Sequence, residues 1–375
     1  MEKTFEQYQE AAERGDAEAQ FNLGICYEDG NGVAKDETQA VYWYKKAAEQ
    51  EFARAQCYLG FCYENGIGVA KDENQAVDWY KKAAKQGYAQ AQYNLGIYHA
   101  YGKGVAKDEK QAIDWLKKAA EQGHVQAQYN LGIGYQYGIG ITKDEKQAVE
   151  WFKKAVEQGN ADAQCNLGVC YYYGTGIAKD EIQAVDWYKK AAEQGFARAQ
   201  CNLGVCYENG KGVAKDEIQA VEWYKKAAEQ GNATAQFNLG ICCENGKGVA
   251  KDETQAVDWY KKAAEQGHAK AQCNLGVCCK NGKGVAKDEK QAVEWFKKAV
   301  EQGLACAQDN LGVCYYNGTG IAKDETQAVY WFKKAAEQGD SNAQNNLAIC
   351  RNHAIEGKKT ILLEALNLLV DTIMP

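Results

Sequence analysis

Four histidines (His99, His124, His268 and His353) and fifteen cysteines are the side chains that could ligate a metal, attack a carbonyl or carry a proton. A metalloprotease helix needs two histidines on one face beside an acid, and a structural zinc site needs paired Cys-x-x-Cys. Neither spacing occurs. The densest thiols are the adjacent pairs Cys242-Cys243 and Cys278-Cys279. A thiolate metal site is one reading of them; replacement of a packing tyrosine, Tyr27 in the first copy, is the better one. No nucleophile, base and acid stand out as a set, so the sequence points to no enzyme, no cofactor and no metal.

Two other sets could bind rather than react. Asparagine precedes a Leu-Gly pair at Asn22, Asn94, Asn130, Asn166, Asn202 and onward, with Tyr58 the exception. An amide both donates and accepts, so a ladder of them could hold the backbone of an extended peptide. Equally, each amide could bond a neighbouring turn or helix and hold the stack. The second set is aromatic: Tyr101, Tyr137 and Tyr173 stand before a loop glycine where most copies carry Asn or Asp, with Tyr93, Tyr129 and Tyr172 nearby. Rigid rings with polar tips anchor protein interfaces; mutual stacking is the plainer alternative. The candidate partner-binding residues are therefore Asn94, Asn130, Asn166, Asn202, Tyr93, Tyr129, Tyr101, Tyr137, Tyr172 and Tyr173.

The elements that must carry these residues repeat every 36 residues without insertion, from DAEAQFNLGICYEDGNGVAKDETQAVYWYKKAAEQE at residues 16–51 onward. Glycine keeps the beat at Gly24, Gly60, Gly96 and on to Gly312, and all nine tryptophans keep it from Trp43 to Trp331. A fixed period of this length denotes a solenoid, each unit burying its apolar face only on its neighbours. Each unit holds two helical patterns. In the first, Ala19, Gln20, Leu23, Gly24 and Tyr27 share a face, and a mid-helix glycine implies close approach of the partner helix. The second starts at an Asp36 N-cap, with Gln39 completing a variant capping box, and packs through Ala40, Trp43, Tyr44, Ala47 and Ala48. Its outer face is expected to pair Asp78 with Lys82, Asp186 with Lys190 and Glu222 with Lys226. Gly15, Gly87 and Gly123 end the second helices. The Gly-x-Gly link between helices (Gly30 and Gly32, Gly174 and Gly176) reads as a tight bend and not a phosphate loop, for no strand precedes it and no Walker lysine-serine follows.

Composition excludes more than it identifies. A net charge of -7 and a pI near 5.4 argue against nucleic acid. A mean hydropathy of -0.60 and the absence of a long apolar run argue against a membrane span, and the N-terminus reads as no signal peptide. The cysteines fall mostly at two repeat positions that other copies fill with Phe, Tyr, Gly or Asp, and their count is odd. Reduced thiols in a reducing, cytoplasmic compartment are the expectation.

The Leu-Gly pair, the Gly-x-Gly link, the Lys-Asp-x-x-Gln-Ala entry and the Tyr-Lys-Lys-Ala-Ala exit resemble Sel1-like repeats, relatives of the tetratricopeptide repeat, over roughly residues 5–352. The resemblance implies an all-α, right-handed αα-superhelical solenoid and a non-catalytic adaptor or scaffold that takes a protein or peptide in a concave groove lined by the first helices. A secreted, cysteine-rich branch is linked to β-lactam binding and hydrolysis. The thiols it cross-links are replaced here by Ala48 and Gln56, which removes the case for that branch. The organisation read from the repeat is an N-terminal capping half-repeat (1–15), nine repeats (16–339), a partial tenth (340–353) and a divergent C-terminal helix (354–375). The apolar stretch 359–374 would cap the last repeat or mediate self-association.

Overall fold

The computed structural model describes residues 4–352, so the apolar stretch 359–374 and His353 lie outside the described residues. Every assigned element is an α-helix, in two compact units divided between Gln194 and Gly195. The first unit opens with α1 (Phe5–Glu13). Five helix pairs follow: α2 (Ala17–Asp29) with α3 (Glu37–Glu49), α4 (Ala53–Asn65) with α5 (Glu73–Lys85), α6 (Ala89–Tyr101) with α7 (Glu109–Glu121), α8 (Val125–Tyr137) with α9 (Glu145–Glu157), and α10 (Ala161–Tyr173) with α11 (Glu181–Glu193). The second unit pairs α12 (Ala197–Asn209) with α13 (Glu217–Glu229), α14 (Ala233–Asn245) with α15 (Glu253–Glu265), α16 (Ala269–Asn281) with α17 (Glu289–Glu301), and α18 (Ala305–Asn317) with α19 (Glu325–Glu337). Residues 341–352 are again helical. The chain is a solenoid of helix-turn-helix repeats, and no described helix is long and apolar enough to cross a membrane.

Local chemistry sets each boundary. Asp36 caps α3 by accepting the Thr38 and Gln39 backbone N–H groups at 2.9 and 3.0 Å, and its own N–H donates to the Tyr27 carbonyl at 2.9 Å. That last bond clasps the turn shut, and later copies repeat it, as Asp72 does to Tyr63. The reciprocal half of a capping box forms at Thr4 and Gln7, but not at Asp36, whose cap consists of the two accepted N–H groups alone. Gly30 and Gly32 both have φ of 75°, the left-handed conformation that the bend requires.

The core follows the alternation of large and small residues. Leu59, Tyr80, Ala83 and Ala55 are wholly buried, a full leucine burial being worth about 1.5–3 kcal/mol. Gly24 shows why glycine recurs mid-helix. A Cβ there would sit 2.5 Å from the Tyr44 ring and 3.1 Å from the Ala40 carbonyl oxygen. Between repeats, the amide of Gln56 donates to the Ala48 carbonyl at 3.0 Å and accepts from Gln86 at 2.8 Å. Ala48 and Gln56, where the cysteine-rich branch would be cross-linked, are thus joined by a buried hydrogen bond, and Gln20, Gln92 and Gln236 repeat it.

The expected i,i+4 ion pairs do not form. Lys82, Lys190 and Lys226 instead lie over the indoles of Trp79, Trp187 and Trp223, at 3.7, 4.0 and 4.1 Å from the ring centroids. Each tryptophan is one turn back; Trp79 is buried and Trp187 and Trp223 are half-buried, and the aliphatic stem across each ring covers apolar surface that an ion pair would leave wet.

Candidate functional site

The described histidines do not converge. His99 is buried on α6 with Nδ1 unpartnered, and burial holds it below the usual imidazole range. His124 and His268 are N-caps: their Nδ1 atoms accept the N–H groups of Ala127 and Ala271, both at 3.2 Å. Their rings stack on Tyr93 and Phe237 at 4.6 and 4.7 Å. The signal was present in the sequence, because Asp16 and Asn160 occupy the same repeat position. In the paired cysteines, Cys243 donates to Gln255 at 3.6 Å and Cys279 to Gln291 at 3.3 Å, and all four thiols are buried in one core cluster. Among the described residues no three of His, Cys, Asp and Glu are placed to hold a metal ion.

The Gly-x-Gly links are structural on their own geometry. A Cβ on Gly176 would lie 2.0 Å from the Glu145 carbonyl oxygen, so the link rests on the N-terminal turn of the preceding second helix. Lys143, Asp144 and Glu145 border the shallow depression beside it, and Lys143 is paired with Glu145 at 2.7 Å. Acidic groups at that helix start occupy the place a phosphate would take.

The asparagines form rungs between consecutive first helices. Asn94 faces the Cys57 sulfur at 3.9 Å and accepts from Gln90 at 2.9 Å. Asn130 bonds the Tyr93 hydroxyl, and the buried Asn166 donates to the Tyr129 hydroxyl at 3.4 Å. Asn202 is half-buried on α12, in the second unit. Tyr93 and Tyr129 are therefore held from both sides, Tyr129 also lying against Phe152 at 6.1 Å.

Tyr101, Tyr137 and Tyr173 differ. They end α6, α8 and α10 at one repeat position, and they are 72%, 64% and 70% exposed. Tyr172 packs edge-on against Tyr173 at 4.9 Å. Beside Tyr101 is an apolar cavity of about 270 Å³ between α6, α7 and α8, lined among others by Ile97, Ile113, Leu116, Ile133 and Ile139.

The cavity has a readable cause that the sequence reading missed. Tyr80, Tyr224 and Tyr260 each donate a hydroxyl to the glutamate sixteen residues earlier, Glu64, Glu208 and Glu244, at 2.7 Å, and Tyr44 bonds Glu28 likewise. In the third repeat both partners are truncated together, to Leu116 and Ala100. Gly134, where most copies have cysteine, lines the cavity too, and there the Ile113 Cδ1 takes the place a Cβ would occupy.

Comparison with known proteins agrees with this architecture. The Sel1 repeat model matches residues 17–52, 53–88, 89–124, 125–160, 161–196, 197–232, 233–268, 269–304 and 307–340. A protective antigen of uropathogenic Escherichia coli displaying an SLR fold is 36% identical, with 94% of this chain and 91% of that one covered and a TM-score of 0.59. A Sel1 repeat protein from Oxalobacter formigenes is 35% identical over 82% of this chain and 89% of that one, with a TM-score of 0.64. No curated protein shows significant similarity. Nine matched repeats, continuous but for two residues, and the packing that each one repeats lead to one assignment: the chain belongs to the Sel1 repeat family.

Proposed function

We propose that the chain is a non-catalytic recognition scaffold, and that repeats three to five take a protein or peptide segment along their first helices. Repeats of this class generally mediate protein–protein interaction, and two features of this chain support that role here. The observation that carries the reading is the row of three exposed tyrosines on consecutive first helices, at positions where most copies carry Asn or Asp. Tyrosine offers a large contact area at low entropy cost, and Tyr101 borders a cavity able to receive one apolar side chain. Asn94 and Asn130, half-buried alongside, would meet the backbone of the bound segment.

The test is capture of a partner from native lysate, followed by calorimetry with the purified partner. Tyr101→Ala, Tyr137→Ala and Tyr173→Ala combined should weaken binding at least about 100-fold, as several interface anchors removed together would, while leaving the helical spectrum intact. Leu116→Phe, which puts in the third repeat the ring that Phe152 supplies in the fourth, should fill the cavity and weaken binding about tenfold. Unchanged affinity in the triple variant would overturn the reading.

A further inference from the structure

Fourteen of the fifteen cysteines sit at three recurring positions of the repeat, and Cys306 alone does not. Its register is filled elsewhere by Glu18, Arg54, Gln90, Gln126, Asp162, Arg198, Thr234 and Lys270, all polar. A packing role does not explain a cysteine there. Cys306 lies in the first turn of α18 and is the one exposed cysteine of the chain. Its Sγ is 3.1 Å from Sγ of Cys273, 33 residues earlier on α16 and only 3% exposed. The two sulfurs need approach by only about 1 Å more to reach bonding distance.

The two thiols are unequal. The hydrogen bond between the two sulfurs, in which either can donate, holds Cys306 below the ordinary thiol range, with a smaller pull from Lys270, against the opposing effects of burial and Asp340. The shared hydrogen bond and burial push Cys273 the other way. The exposed sulfur is thus the better thiolate, and the buried one stands behind it as a resolving thiol. Other buried thiols of this unit, Cys242 and Cys278, are held up to about 12 and about 11 by burial and offer little competition.

We propose that Cys306 and Cys273 form a thiol–disulfide exchange site that consumes a low-molecular-weight disulfide of the glutathione type and closes a covalent staple between the first helices of the last two complete repeats. In the first step Cys306 gives up its proton, and its thiolate attacks one sulfur of the small disulfide. A mixed disulfide forms, the small S–S bond breaks, and one thiolate leaves to be protonated. Cys273 then gives up its proton, and its thiolate attacks Cys306 Sγ. The mixed disulfide breaks and the second small thiolate leaves, taking up a proton in turn. Two protein thiols are oxidised, one small disulfide is reduced to two thiols, and the protons lost equal the protons gained. In a repeat stack each unit is held only by its neighbours, so a staple there would restrict opening of the final repeat.

The test uses the full chain incubated with oxidised glutathione, quenched in acid, alkylated and mapped by peptide mass spectrometry, with Cys306→Ser and Cys273→Ala alongside. The intact protein should show Cys273 linked to Cys306 in most molecules. Cys273→Ala should stop at a glutathione adduct on Cys306, and Cys306→Ser should show neither product. Hydrogen exchange in residues 305–337 should slow at least tenfold on oxidation of the intact chain and not at all in Cys306→Ser. A glutathione adduct persisting on Cys306 of the intact protein, an intermolecular link through it, or no reaction would overturn the proposal. Cys306 is exposed, so its serine variant tests the idea even if Cys273→Ala perturbs packing.

Discussion

The ammonium of Lys82 sits 3.7 Å from the centroid of the Trp79 indole, one turn along α5, and not against the carboxylate of Asp78. The lysine lies across a ring that is packed into the core beside Ala48 and Leu59, and the charge faces its π surface. The same arrangement recurs at Lys118 over Trp115 and Lys262 over Trp259. From Trp79 to Trp295 the recurring tryptophan and the recurring lysine are thus one feature, while Lys46 and Lys334 lie over Tyr42 and Tyr330 instead.

From that relationship, Lys82→Gln should cost about 0.5–1 kcal/mol, since glutamine keeps the helix propensity and loses the cation. Asp78→Asn should stay within about 0.5 kcal/mol. Urea unfolding of the two variants measures the difference. An equal loss from both would show that the ion pair matters after all.

Two glycines with positive φ should respond unequally to substitution. Gly68 has φ of 62°, and a Cβ there would lie 2.0 Å from the Glu37 carbonyl oxygen, a rigid backbone atom. Gly68→Ala should cost about 3–5 kcal/mol, through strain added to displacement of the next repeat. Gly87 has φ of 88° with nothing within 4 Å, so Gly87→Ala should cost only about 1–2 kcal/mol. The chain has made the analogous change once, at Glu51, which holds φ of 62° at the same repeat position. Glu51→Gly should therefore stabilise the protein by up to about 1 kcal/mol, read as a rise in thermal midpoint.

Alkaline conditions should unfold the protein. Burial pushes the thiols of Cys57, Cys62 and Cys242 from 9.0 up to about 12. Burial first, then the glutamate acceptor, raises the Tyr80, Tyr224 and Tyr260 hydroxyls above their ordinary range. The folded state holds these protons more tightly than the unfolded chain. The stability they contribute is complete below about pH 8.5 and is lost as pH rises toward 12. Urea midpoints at pH 7, 9.5 and 11 should fall in that order. A midpoint that stays constant across the series would show these groups to be freely titratable in the fold.

The sequence by itself determined the solenoid. Helix boundaries follow from Asp36-type caps and Gly30-type ends, and the buried faces follow from three- and four-residue spacing. The Leu-Gly pair calls for a close neighbour, which Tyr44 supplies against Gly24. All of this is local, or set by a neighbour that is a copy of the same unit, so one period contains it. The tertiary structure decided which partner each polar or reactive side chain takes. Gln56 meets Ala48 and Gln86, Asn166 meets Tyr129, Cys306 meets Cys273, and Leu116 leaves a cavity beside an exposed Tyr101. Most of these pairs join residues 30 to 37 positions apart in sequence. Their meeting depends on the rotation and rise of one repeat over the next, and the period alone carries neither quantity. The exposed tyrosines lay between the two cases: their spacing was legible, and only the packed neighbours decided that these rings remain in solvent while Tyr93 and Tyr129 do not.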